Sequence, residues 1–338
     1  MTAERSLSVV MPVRDALDTL PEALDSVLSQ RGAPAFEVVA VEDGSQDGSA
    51  QWLARCAARH RQVRVVESGG VGIARALNHG IAACGGDVIA RMDADDVCMD
   101  TRLATQLAHL EAQPRIAVLG AQVELISQDP IGDGMRSYVA WQHSLTTPNQ
   151  HHAQLFVESP VCHPSTILRR SAWASLGGYR DGPFPEDYDL WLRLDAAGYG
   201  IAKVPERLLS WRQGPDRATT TDPRYAADRF VACKAPFLAR RLQSRPGAIS
   251  VWGAGKTGKR LVRALEPHGV RVERFIDIDP RKIGRCARGA PIEDPDSLRH
   301  RRSAWLLVAV GARGARERVR QHLSALGYQE GVDYLCGS

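Results

Sequence analysis

Val88-Ile89-Ala90-Arg91-Met92-Asp93-Ala94-Asp95-Asp96 is the stretch on which the fold turns. A short apolar run of strand length ends abruptly in three carboxylates. Upstream, such runs alternate with longer amphipathic stretches. Leu7-Ser8-Val9-Val10-Met11 precedes a helical pattern over 19–30, and Phe36-Glu37-Val38-Val39-Ala40-Val41 precedes another over 49–60. Val63-Arg64-Val65-Val66 precedes a third over 71–84, which leads back to Val88. This is βαβ alternation, and it predicts a mostly parallel sheet with helices on both faces. In open sheets of that kind ligands bind beyond the carboxyl ends of the strands. The residues at three such ends are Pro12-Val13-Arg14-Asp15, Glu42-Asp43-Gly44-Ser45-Gln46-Asp47-Gly48 and Arg91-Met92-Asp93-Ala94-Asp95-Asp96. Two of the three are carboxylate clusters.

Working outward, a helix is expected over 102–113 and a strand over 116–119. The stretch 127–154 is rich in Gly, Pro, Asp and His with weak periodicity, and reads as irregular. Order returns at Ser165-Thr166-Ile167-Leu168-Arg169, with a helix beginning near Glu186 and a long helical stretch over 223–242. After Ser244-Arg245-Pro246-Gly247 the βαβ pattern restarts. The chain of 338 residues therefore divides into a first α/β domain over 1–222, a helical linker over 223–247 and a small Rossmann-like domain over 248–338.

Composition excludes several classes. Hydrophobic residues make up 44% and charged residues 24%, as in ordinary globular enzymes. The formal net charge of +4 is small for the length and interleaved with acids, so nucleic acid is not an expected partner. The seven cysteines lack metal or disulfide spacing and read as free thiols of a reducing compartment. No apolar run reaches the roughly 18–20 residues of a membrane span, and the segment from Met1 to Pro12 carries no signal-peptide pattern. The expected location is cytoplasmic, with peripheral attachment to the inner face of the membrane as a variant.

Asp93, Asp95 and Asp96 repel one another unless a cation neutralises them, and hard oxygen ligands select Mg²⁺ or Mn²⁺. Such an ion would also hold a diphosphate. The competing explanation is a solvated acidic helix start. Asp43 is placed to accept a hydrogen bond from a nucleobase N–H, whereas Asp47 reads as a turn carboxylate. At the start of a later helix, Glu186 and Asp187 compete for the role of a base that deprotonates an acceptor hydroxyl.

Four motifs in order and spacing resemble those of family 2 glycosyltransferases, which have the GT-A fold: residues 8–15, 42–48, 72–78 and 92–96. The resemblance extends over His163-Pro164-Ser165-Thr166, Leu176-Gly177-Gly178-Tyr179, Glu186 to Arg193 and Trp211-Arg212, and so covers about residues 6–215. It implies an inverting transfer from a nucleoside diphosphate sugar, expected to be a UDP-sugar, to a glycan or lipid-linked acceptor in cell-surface polysaccharide synthesis. It also implies that Asp187 is the catalytic base and that Asp93 and Asp95 hold the metal and diphosphate. Pro12, Asp43 and Arg75 are expected to line the nucleotide sugar, while Glu186, His163, Trp211 and Arg212 are candidates for the acceptor side. Two departures stand out. The first acid of the usual Asp-Asp-Gly-Ser turn is Glu42, and Gln213-Gly214-Pro215 follows Trp211-Arg212 where a histidine often reaches the metal.

In the second domain Gly253-Ala254-Gly255-Lys256-Thr257-Gly258 follows a strand and opens a helix, with Asp277 after the next strand. Gly253, Gly255, Gly258 and Asp277 are candidates for a second nucleotide site. A glycine-rich turn serving tight packing explains the pattern equally well, and only about half the strands of a full dinucleotide fold are legible. A dinucleotide-dependent oxidoreductase acting on sugar nucleotides is the alternative activity, but no Tyr-xxx-Lys pair accompanies the glycines. A noncatalytic nucleotide-binding scaffold is the other alternative, and it requires Asp93, Asp95 and Asp187 to be incidental together.

Overall fold

The computed structural model describes residues 6–215 and 217–338. The domain start and the leader reading at residues 1–5 lie outside it. The chain forms two compact units. One comprises the chain up to His152 together with Pro160–Tyr225, and the other comprises Ala153–Ser159 with Ala226–Ser338.

In the first unit the strands are β1 (Leu7–Val13), β2 (Phe36–Glu42), β3 (Val63–Glu67), β4 (Val88–Arg91), β5 (Val97–Cys98), β6 (Ile116–Ser127), β7 (Ile167–Arg169) and β8 (Gly200–Gln213). Among the described residues they form one sheet in the order β3-β2-β1-β4-β7-β6-β8-β5. The first four strands are mutually parallel. Every residue of β1 and β4 is buried, as expected for strands covered on both faces. β7 then runs antiparallel to both β4 and β6, while β6 and β8 pair in parallel. The helix Leu20–Leu28 buries Leu20, Ala23, Leu24 and Val27. That is the i, i+3, i+4, i+7 stripe that binds a helix to a sheet face.

The stretch expected to be irregular instead contains the helices Asp133–His143 and Pro148–Gln154. In the first of these only Val139 and Gln142 are buried, too few to mark a helical period in the sequence. It is held by a buried lysine: Lys203 Nζ donates to the carbonyls of Gln142 at 2.5 Å and Pro160 at 3.2 Å.

The second unit has β9 (Ile249–Trp252), β10 (Val272–Ile276), β11 (Cys286–Ala287), β12 (Ala290–Glu293), β13 (Leu306–Val308) and β14 (Tyr334–Cys336). The sheet order is β11-β12-β10-β9-β13-β14, and all pairings are parallel except β11 with β12. Numbered along the chain, its five parallel strands run 3-2-1-4-5, the order of the first five strands of a dinucleotide-binding sheet. More of that sheet exists than the sequence shows, because β12 contains Pro291 and β14 is three residues long.

The helix Ala227–Leu242, which the sequence presents as a linker, is part of this unit. Its buried Lys234 donates through Nζ to the carbonyls of Phe156, Val157 and Gly337 at 2.8, 3.2 and 2.9 Å. Burial lowers the Lys234 ammonium to about 8, so the three carbonyls compensate a charge held away from water.

Candidate active site

β1, β2 and β4 end side by side, and the turns that follow them are cross-tied. Asp15 Oδ1 accepts from the Gln46 N–H at 2.7 Å, and Asp47 Oδ2 accepts from the Leu17 N–H at 2.8 Å. Glu42 curls back into its own turn, its carboxylate accepting from the Gly44 and Ser45 N–H groups at 3.2 and 2.5 Å. Pro12 lies buried in β1 opposite Val41, beyond Val10 where the pairing with β4 ends, so its missing N–H costs no ladder bond there.

Asp43 is buried and accepts three hydrogen bonds from the loop after β3. Oδ1 takes the Ser68 hydroxyl at 2.6 Å and the Val71 N–H at 2.8 Å, and Oδ2 takes the Gly72 N–H at 2.9 Å. A carboxylate offers about four acceptor positions, so Oδ2 retains one. Arg75, on the helix Ile73–Ala83, is exposed and pairs through Nε with Asp181 at 2.7 Å.

The ligand atoms of Asp93, Asp95 and Asp96 all lie within 4.8 Å of one another. Asp93 forms an ion pair with the buried Arg91. Asp95 is pushed up to about 6 by burial and by the charge of Asp93. Asp96 is only 1% exposed, and its carboxyl is raised by burial and by both neighbours. Its Oδ1 accepts from the Arg212 N–H at 2.8 Å, whereas Oδ2 has no partner among the described residues. Mutually repelling carboxylates with an orphaned buried oxygen fit a hard divalent cation and fit a mere helix cap poorly, since no helix begins until Arg102. Arg212 also donates through Nε to Asp95 O at 2.6 Å and through Nη2 to Glu22 at 2.6 Å. Arg212 thus braces the acidic segment.

Glu186 and Asp187 begin the helix Glu186–Ala196. Glu186 is 3% exposed, accepts from the Tyr225 hydroxyl at 2.8 Å, and has Oε1 3.8 Å from His163 Nδ1. His163 Nε2 in turn shares a 2.8 Å hydrogen bond with the Tyr179 hydroxyl. Burial, then the charge of Arg91, holds the His163 imidazole well below its usual range, so it is neutral. Asp187 is the more accessible of the two acids. Burial and the adjacent Glu186 raise its carboxyl to about 7, a value suited to a general base at neutral pH.

Several supporting residues escape sequence reasoning. Arg193 pairs with Asp189 at 2.7 Å and donates to the carbonyls of Leu176 and Gly178 at 3.1 and 2.8 Å. Asn78 brackets Tyr179, donating to its carbonyl at 2.8 Å and accepting from its N–H at 2.9 Å. Together they fix the Gly177-Gly178-Tyr179 turn against the helix that carries Asp187. The i, i+4 spacing of Asp189 and Arg193 is the one signal that could have revealed the first pair. The fully buried Arg102 donates through Nη2 to the carbonyl of Arg91 at 2.7 Å, bracing the strand that delivers the carboxylates.

In the second unit, two glycines are required by backbone approach. A Cβ on Gly253 would lie 2.3 Å from Ala309 O, and one on Gly258 would lie 1.8 Å from Gly253 O. A Cβ on Gly255 would meet nothing within 4 Å. Asp277 Oδ2 accepts from the Ala254 N–H at 2.9 Å and pairs with Lys282 at 2.9 Å, while Oδ1 accepts from the Asp279 N–H at 3.0 Å. Its carboxylate is therefore engaged with its own turns.

A half-parallel, half-mixed sheet that gathers carboxylates at the ends of β2 and β4 and at the start of a later helix defines the class: a GT-A glycosyltransferase. The Glycosyl transferase family 2 profile matches residues 8–177, and the chain belongs to that family. It is 32% identical over 200 residues to the amylovoran biosynthesis glycosyltransferase AmsE of Erwinia amylovora, covering 59% of this chain and 72% of that one. It is 25% identical to the UDP-Gal:alpha-D-GlcNAc-diphosphoundecaprenol beta-1,3-galactosyltransferase of Escherichia coli, covering 64% of this chain and 77% of that one. Among solved structures, S. aureus TarS in complex with UDP-GlcNAc shares the fold, with a TM-score of 0.53 at 17% identity over 70% of this chain and 73% of that one.

Proposed function

We propose that the chain transfers a sugar, with inversion, from a UDP-sugar to a hydroxyl of a glycan or lipid-linked acceptor in bacterial-type surface polysaccharide assembly. The convergence of Asp93, Asp95 and the orphaned Asp96 oxygen within one sheet edge carries this reading. The diphosphate chemistry named by the galactosyltransferase relative supports the donor and the acceptor class. No described helix is long and apolar enough to cross a membrane. A lipid-linked acceptor would therefore be met at the membrane surface.

Asp93 and Asp95, with Asp96, would hold Mg²⁺ or Mn²⁺; when bound, the ion neutralises charge on the departing diphosphate. Asp43 keeps the loop 68–72 in place beside the nucleotide and offers its remaining acceptor position to a base N–H. Asp187 takes the proton of the acceptor hydroxyl as that oxygen attacks the anomeric carbon. The new C–O bond forms on the face opposite the diphosphate, and the old one breaks with its electron pair leaving on the phosphate oxygen. Glu186, buried and bound to Tyr225, acts as a positioning residue whose charge tunes Asp187.

A thermal-shift screen of nucleoside diphosphates with Mn²⁺ or Mg²⁺ tests the first half. UDP is expected to raise the melting temperature in the presence of the ion, and stabilisation by no nucleotide would overturn the proposal. The tuning is tested separately. Glu186→Gln removes a negative charge beside Asp187, so the acid limb of kcat/KM, expected near pH 7 in the parent, should move to lower pH by roughly one unit. A limb that stays in place would remove Glu186 from this role.

A further inference from the structure

Arg217 belongs to no motif, yet its side chain is held in a definite place. Its guanidinium carbon lies 4.6 Å from the centroid of the Trp211 ring, and Nη1 donates to Gln213 Oε1 at 2.6 Å. Both holders stand at the end of β8, on either side of Arg212, whose N–H and Nε grip Asp96 and Asp95. The guanidinium is thus bracketed beside the acidic segment. Among the described residues its stacking and hydrogen-bonding partners are neutral, an indole face and an amide.

A cation pre-set on neutral partners at the rim of a metal-binding carboxylate cluster is suited to an anion that arrives with the metal. Residues 213–215 supply no histidine there, so this part of the chain has no imidazole to offer. We propose that Arg217 is a diphosphate-binding residue, contacting the donor's phosphates across from Asp93 and Asp95 and stabilising them as the sugar departs. The proposal rests on the nucleotide-sugar reading above. A guanidinium presents a planar fork that matches phosphate oxygens two at a time, and stacking on Trp211 reduces the freedom lost when it binds. As negative charge develops on the diphosphate during C–O cleavage, the contact strengthens toward the transition state.

The test is titration calorimetry on the full chain in MnCl₂ with UDP, UMP and uridine, or with the guanosine series if that is the one the parent binds. Arg217→Ala and Arg217→Gln are expected to weaken the diphosphate about tenfold or more while leaving the nucleoside within about twofold, with unchanged melting temperatures. Arg217→Lys keeps charge but not the fork or the stack, and should recover only part of the loss. Unchanged diphosphate affinity in the Ala variant would overturn the proposal, as would an equal loss for diphosphate and nucleoside, which marks a structural role. If the parent chain binds no nucleotide, the nucleotide-sugar reading fails and takes Arg217 with it. If the parent binds and the variants do too, only the role of Arg217 fails.

Discussion

Asp187→Asn is expected to lower sugar transfer by about 10²–10⁴-fold, the range a positioned general base contributes, with diphosphate affinity nearly unchanged. The amide preserves shape but cannot accept the acceptor's proton. A second consequence concerns stability. Burial and Glu186 raise the Asp187 carboxyl from an ordinary 3.8 to about 7, so between those values the folded state binds the proton more tightly than the unfolded chain does. Stability from this group therefore falls as pH rises through that window and is lowest above about 7. The Asn variant lacks the ionisation, so its melting temperature should exceed the parent's at pH 8 and converge with it near pH 4. Transfer assays, calorimetry and melting curves together decide the matter. Retained activity would remove Asp187 as the base, and a joint loss of activity and nucleotide affinity would make it a structural residue.

Asp95→Asn should abolish the response to metal, costing about 10²–10³-fold in turnover, the scale on which removal of one electrostatic stabiliser of a transition state is felt. The parent's melting temperature should rise with Mn²⁺ and fall back on chelation, because an ion bound only by the folded state stabilises it by mass action. In the variant that increment should vanish. Without metal the variant should be the more stable protein near pH 8, since it lacks the charge that Asp93 and Asp96 repel. A full Mn²⁺ increment in Asp95→Asn would place the ion elsewhere.

Strand order picks out Asp95, because a strand end is a local event, whereas Asp187 is picked out by the motif resemblance alone. Apolar runs of strand length set the βαβ order, and the residue after each run must fall at the sheet's ligand edge. Asp43, Asp93 and Asp95 were legible for that reason. The contest between Glu186 and Asp187 was not, since both lie in the first turn of the same helix. Burial separates them: Glu186 is enclosed with Tyr225 and His163, and Asp187 is the less buried of the two. The helix over 133–143 was missed because it buries only two side chains. The short β12 and β14 were missed because neither carries a periodic signal of its own.

The sequence by itself determined the parallel half of the first sheet, the family and the acidic segment at 93–96. Periodicity and motif spacing are written over a few neighbouring residues, and strand ends inherit their place from them. Tertiary structure alone decided that Asp43 organises the loop 68–72, that Arg212 braces the carboxylates from more than a hundred residues away, and that Arg217 rests on Trp211 at their rim. Such contacts depend on which side chains packing brings together across the chain, and no local propensity encodes them.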